Sequence, residues 1–307
     1  MIYTLTCNPS LDLVVSLPRL SPGTVNRAAG EQVYPGGKGI NVSLMLTHLG
    51  LPNHMLGFTA GFTGRELVRL LHAQGCTPDF IELPEGCTRI NLKLRAQEET
   101  EINGAGPAIP PRALADLNDR LDGLHSGDYL VLSGSIPPSL QDDLYETVLR
   151  RMKGRGVHCV VDATGALLRR TLPYAPFLIK PNQHELGELF QVRLHAIEDV
   201  VFHAKRLQGF GARNVLVSMG QEGAVLLTEQ GESLCIPAPE GELMGSTGAG
   251  DSMVAGFLAG WIKTGAYQPA LEWAVCAGSA TAYSEWLASR EAVQALLRQY
   301  QGEGELL

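Results

Sequence analysis

From about residue 128 onward, short apolar runs alternate regularly with segments of helical period, and this alternation limits the possible folds more than any other feature of the chain. DYLVLSG (128–134), VHCVVDA (157–163), FLIKPN (177–182) and NVLVSMG (214–220) read as strands buried on both faces. Just ahead of the first run, PPRALADLNDRLDGL places leucines 114, 117, 121 and 124 on one helical face, with its two prolines suited to a first turn. DDLYETVLRRM repeats the pattern with Leu144, Val148 and Met152. Strand and helix in alternation predict an α/β fold, a mostly parallel central sheet with helices on both faces. Each of the four runs ends in a polar cluster: SGS from 133, Asp162, KPNQHE from 180 and SMGQEG from 218. Open α/β sheets bind ligands beyond the carboxyl ends of their strands. The clusters are therefore either one crevice or four ordinary strand-ending turns.

The first 105 residues have a different texture. TRINLKLR (88–95) alternates strictly, with Ile90, Leu92 and Leu94 on one face and Arg89, Asn91, Lys93 and Arg95 on the other. With LDLVVSL, GEQVYPG and TEINGAGP it predicts a small β-sheet from segments 11–17, 30–36 and about 79–105. This sheet is inserted in a single domain spanning residues 1–307, as a solvated hairpin or as a lid over the crevice.

Composition excludes several function classes. The net charge is −8 and the cations are scattered, so no basic footprint for nucleic acid or an anionic membrane exists. No apolar run approaches the roughly 20 residues of a membrane helix, and the start MIYTLTCNPSLD lacks the features of a secretion signal, so a cytoplasmic location is expected. Six dispersed cysteines without metal spacing read as reduced core thiols. Disorder is expected only at the tail QGEGELL.

Two glycine-rich turns carry the chemistry. In LMGSTGAGDSMVAGF (243–257) the glycines precede an apolar helical stretch, which predicts a helix N-terminus with free N–H groups suited to phosphate. Asp251 there is either a capping acid or a general base beside the group being transferred. GGKGIN (36–41) is a second such turn, offering Lys38 and Asn41. No GxxxxGK[ST] and no GxGxxG after the first strand occur, so neither a P-loop nor the usual dinucleotide site is supported. Asn182 and Glu185 stand three apart at a helix start, where they either hold Mg²⁺ through water or form a capping box; His184 reads as a surface residue.

In order and spacing, GGKGIN, TRINLKL with ETEINGAGP, SGS with the following PP, KPN with Glu185, and STGAGDS resemble the ribokinase-like sugar kinases of the PfkB type over nearly the whole chain. The resemblance implies a ribokinase-like three-layer α/β/α sandwich with a β-sheet lid, use of ATP and Mg²⁺, and homodimers joined through the lids. Within the family, TLTCNPSLD, YPGGKGINVS, GFTG and TRINLKL are most similar to members that phosphorylate D-fructose 1-phosphate at its 6-hydroxyl, giving fructose 1,6-bisphosphate and ADP. Kinases of tagatose 6-phosphate or another sugar phosphate are the alternative, and a non-catalytic sugar-phosphate or nucleotide sensor is the rival from another class. The presence of Asp251 and Glu185 favours an enzyme.

The resemblance also implies roles. Asp251 is the catalytic base, with the backbone of Thr247, Gly248, Ala249 and Gly250 as anion hole. Asp12, Gly37, Lys38 and Asn41 hold the sugar, with Ser135 in the sugar-side loop. Arg89, with Asn91 and Lys93, meets the phosphate that the substrate already carries. Lys180, Asn182, Ser218, Gly220, Gly223 and Thr247 belong to the nucleotide side, and Asn182 with Glu185 to Mg²⁺ through water. The adenine pocket stays unassigned. Cys7, where relatives more often have leucine, is expected to be a buried apolar substitute.

Overall fold

The strand Ile2–Thr6 lies third from one edge of a nine-stranded sheet, between Tyr129–Ser133 and Asn53–Ala60 and parallel to both. In this computed structural model, which describes residues 1–300, the sheet runs Ser233–Ile236, Ala224–Leu227, Asn214–Ser218, Leu178–Ile179, His158–Asp162, Tyr129–Ser133, Ile2–Thr6, Asn53–Ala60, Pro78–Leu83. Only the first two of these pair antiparallel. The four runs singled out in the sequence are all strands in this sheet, FLIKPN contributing just Leu178–Ile179. The tail QGEGELL lies outside the described residues.

Alternate residues of each strand enter two separate cores. Ile2, Val131 and Val160 face a core shared with Lys38–His48, Ala249–Thr264, Tyr267–Ala282 and Arg290–Tyr300. Leu5, Leu130, Leu132 and Val161 face the other, filled by Pro111–Asp122, Leu144–Met152, Gln183–Phe190 and Ile197–Gly209. Both faces of the sheet are thus removed from water, giving the three layers that uniformly apolar strands require.

A second sheet of four strands, in the order Gly30–Gly36, Ser10–Ser16, Arg89–Arg95, Glu99–Asn103, stands beside the carboxyl edge of the first. It corrects the expected boundary of the inserted segment. Pro78–Leu83 pairs with Asn53–Ala60 and belongs to the body, because Ile81 and Leu83 are buried in its core. Another correction concerns the thiols: Cys7, Cys76, Cys159 and Cys276 are buried, but Cys87 and Cys235 are exposed. Cys7 is the buried apolar residue expected, and burial pushes its thiol up to about 12.

Candidate active site

The polar strand ends converge on two cavities. The first, about 790 Å³, lies between body and small sheet; the second, about 780 Å³, lies over the ends of Leu178–Ile179 and Asn214–Ser218. Asp12, Gly37, Lys38, Asn41, Arg89, Asn91, Lys93 and Ser135 line the first, and Lys180, Asn182, Glu185, Ser218, Gly220, Gly223, Ala249 and Gly250 the second. Thr247, expected with the nucleotide, lines the first cavity instead. Among the described residues only Lys38, Gly248 and Asp251 border both.

The glycine turn at 245–250 makes this junction. Gly248 caps the helix Ala249–Thr264 with φ +79°, a conformation that other residues adopt only under strain. Asp251 then falls in the first helical turn without capping it. Its carboxylate instead accepts a hydrogen bond from Asn41 Nδ2 at 2.7 Å, so the capping reading is set aside. The backbone N–H groups of Gly250 and Asp251 make no hydrogen bond among the described residues, which leaves them for an anion. Lys180 Nζ lies 2.9 Å from where a Cβ on Gly250 would stand.

Asp251 is 5% exposed. Burial pushes its carboxyl up to about 6, and the Asp162 carboxylate adds to the rise, while Lys38, Asn41 and Lys180 pull the other way. Asp162 is buried too, but Lys180 and Lys38, at 3.6 and 3.3 Å, overcome its desolvation and hold it below the usual carboxylate range. Burial pulls the Lys38 ammonium down, yet Asp162, Asp251 and Glu185 together keep it above its ordinary value. A site with one proton-accepting carboxylate and one permanently charged one, close together, is an arrangement suited to general-base chemistry.

The first cavity suits a polar ligand with an anionic end. Gly36 leaves room for the Asp12 carboxylate on the neighbouring strand of the small sheet: a Cβ there would stand 2.2 Å from Asp12 Oδ1. Asp12 accepts from Ser10 Oγ at 2.7 Å and Asn91 Nδ2 at 3.0 Å, and pairs with Lys93 at 3.4 Å. Buried Thr6 Oγ1, Asn8 Oδ1, Asn41 Oδ1, Asn91 Oδ1 and Ser133 Oγ have no hydrogen-bond partner among the described residues, and all five residues line this cavity. Such groups are costly unless a ligand meets them. Of the cations here, Lys38 and Lys93 face carboxylates, Arg170 makes no ion pair among the described residues, and there the Arg89 guanidinium donates only to the carbonyls of Asn8 and Gly104, at 3.1 and 3.3 Å. Its charge is left for an anionic ligand.

In the second cavity Asn182 and Glu185 form the capping box: Asn182 Oδ1 accepts from the Glu185 N–H at 2.7 Å, and Glu185 Oε2 from the Asn182 N–H at 2.8 Å. Glu185 Oε1 makes no hydrogen bond among the described residues. A hydrated cation on a nucleotide fits this donor set, since no cluster of three or more carboxylate, His or Cys ligands exists among those residues. His184 is a surface residue beside Glu188. Sequence reasoning missed Asn8 and Arg170 in the first cavity, and in the second the apolar wall of Pro239, Leu243, Val275 and Tyr283. That wall joins the loop of Pro239 and Leu243 to the helix Tyr267–Ala282, which holds Val275 and ends at Tyr283, and it carries no motif.

A sheet of this order, two cavities at its carboxyl edge and a buried carboxylate between them define an enzyme that moves a group between two ligands. The model of the pfkB family of carbohydrate kinases matches residues 6–289, and the chain belongs to that family. It is 43% identical over 297 residues to 1-phosphofructokinase of Bacillus subtilis, covering 97% of each chain. It is 38% identical to D-tagatose-1-phosphate kinase of Bacillus licheniformis, covering 94% of each. Phosphofructokinase-2 from Escherichia coli in complex with substrates and products superposes with a TM-score of 0.92 at 29% identity, covering 98% of this chain and 99% of that one. The described helices include none long and apolar enough to cross a membrane.

Proposed function

We propose that the chain transfers the γ-phosphoryl of ATP to the 6-hydroxyl of D-fructose 1-phosphate, giving fructose 1,6-bisphosphate and ADP. The observation that carries this reading is the position of Asp251, a buried carboxylate with its pKa pushed up to about 6, where the two cavities meet. Asp251 takes the proton of the attacking hydroxyl, and Asn41 holds its carboxylate in place. The N–H groups of Gly250 and Asp251 stabilise charge spreading over the phosphoryl oxygens, and Lys38 and Lys180 offset it from either side. Arg89 holds the phosphate already on the sugar; Asp12, Asn91 and the unpaired Thr6, Asn8 and Ser133 groups meet its hydroxyls. Ser218, Gly220, Gly223 and the wall of Pro239, Leu243, Val275 and Tyr283 receive the nucleotide. Glu185 and Asn182 hold Mg²⁺ through water, and the bound ion would neutralise triphosphate charge.

The relative at 38% identity supports a second reading, in which the acceptor is D-tagatose 1-phosphate. This differs from the tagatose 6-phosphate suggested by resemblance, and it keeps the phosphate on the same carbon as in fructose 1-phosphate. ADP release measured with fructose 1-phosphate, fructose 6-phosphate, tagatose 1-phosphate and tagatose 6-phosphate tests both. The highest kcat/KM should belong to fructose 1-phosphate; a higher value for tagatose 1-phosphate would select the second reading, and no turnover of any would overturn both.

The outer face of the small sheet supports a homodimer. Val33, Leu13, Leu92 and Ile102 form one cross-strand row on it, and Val33, Ile90 and Ile102 are 46%, 45% and 57% exposed. A continuous apolar strip of this kind fits pairing with a second copy.

A further inference from the structure

Trp286 borders neither cavity, but it is tied to the sugar side through the lid. Its ring stacks on Tyr34 with centroids 4.1 Å apart and planes within 9° of parallel. Lys93 Nζ lies 6.0 Å from the same ring. In the lid register Tyr34 stands opposite Asp12, and Asp12 opposite Asn91. Lys93 also pairs with Asp12, so Trp286 stands between a residue opposite Asp12 in the register and the cation paired with its carboxylate. A further bond joins the same two parts of the molecule, from Arg95 Nη2 to the Glu285 carbonyl at 3.4 Å.

The turn that carries Trp286 is firmly part of the body. The Ala288 N–H donates to Thr281 Oγ1 at 3.2 Å, and Leu287 packs on Gly248, 2.7 Å from where a Cβ would stand. The buried indole N–H has no partner among the described residues, and the contacts the ring makes are through its faces. The lid is thereby indexed to the glycine turn that holds Asp251.

Resting on the function proposed above, we propose that Tyr34 and Trp286 are positioning residues for the phosphoryl acceptor. Their stack holds the lid at the height where Asp12 and Asn91 face the sugar and Lys93 keeps its ion pair. Without it the lid remains folded but samples other positions, and the acceptor loses affinity while the nucleotide side is undisturbed.

The test is steady-state kinetics on Tyr34→Ala, Trp286→Ala, Trp286→Phe and the double alanine variant. Each alanine variant should raise KM for fructose 1-phosphate about tenfold with KM for ATP changed by less than about twofold. Trp286→Phe keeps a stacking face and should recover most of the loss. The double variant should be no worse than either single one, because both remove the same contact. Unchanged KM for the sugar phosphate, a parallel rise in both KM values, or losses that multiply in the double variant would overturn the proposal. A wild-type preference for another sugar phosphate would revise the function alone, since the same KM comparison is then made on that substrate.

Discussion

Asn41 and Asp251 are 210 positions apart in the chain and 2.7 Å apart in the fold, where the amide of one glycine turn donates to the carboxylate of the other. In the proposed reaction the contact aims the proton acceptor from the sugar side while its own helix presents N–H groups to the anion. Two motifs that are each ordinary alone become one device at this bond.

Asp251→Asn should lower kcat by about 10² to 10⁴-fold, the usual contribution of a general base. In the wild type, kcat/KM should climb as pH rises through about 6, because the base acts only when deprotonated. Stability should move the other way. The folded pKa lies above the ordinary 3.8, so the stability linked to this carboxyl is full below about pH 4 and lost as pH rises through about 6. Asp251→Asn removes that loss and should raise Tm by a few degrees at pH 8, with no gain at pH 4. Thermal melts at the two pH values check it.

Arg89→Ala should raise KM for the phosphorylated sugar at least about tenfold, since a charge-assisted contact to phosphate is lost. KM for ATP should stay near the wild-type value. A change confined to ATP would move Arg89 out of the sugar site.

Glu185→Gln separates the capping box made by that side chain from its proposed hold on Mg²⁺. Glutamine also closes a capping box, so Tm should hold, while the Mg²⁺ concentration for half-maximal rate should rise about fivefold or more. Titration of the rate with Mg²⁺ beside a melt of the same sample measures both.

Leu92→Asp puts a charge in the middle of the exposed apolar row on the lid. Light scattering coupled to gel filtration should show a dimer for the wild type and a monomer for the variant. A wild-type monomer at micromolar concentration would end the lid-pairing proposal.

The glycine turns, the basic lid strand and the capping box were legible in the sequence because each is a local pattern with a local physical reason. The two strands at one edge of the large sheet, Asn53–Ala60 and Pro78–Leu83, were not. Asn53–Ala60 reads NHMLGFTA, without alternation, because both its faces are covered, and nothing in it marks which strand it joins. Pro78–Leu83 was assigned to the lid for the same reason, being close to Arg89 in the chain but paired with the body. The site residues missed are of a similar kind: Tyr283 and Leu243 meet only when the helix Tyr267–Ala282 packs, and Trp286 matters only through a ring on another sheet.

Lys38, Gly248 and Asp251 are shared by both cavities, so in the proposed reaction acceptor and donor reach the same phosphorus atom from opposite sides. Direct in-line displacement then leaves no stage at which the group rests on the protein. A γ-phosphoryl made chiral with oxygen isotopes should therefore reach the sugar with its handedness inverted, whereas passage through a phosphorylated side chain would preserve it.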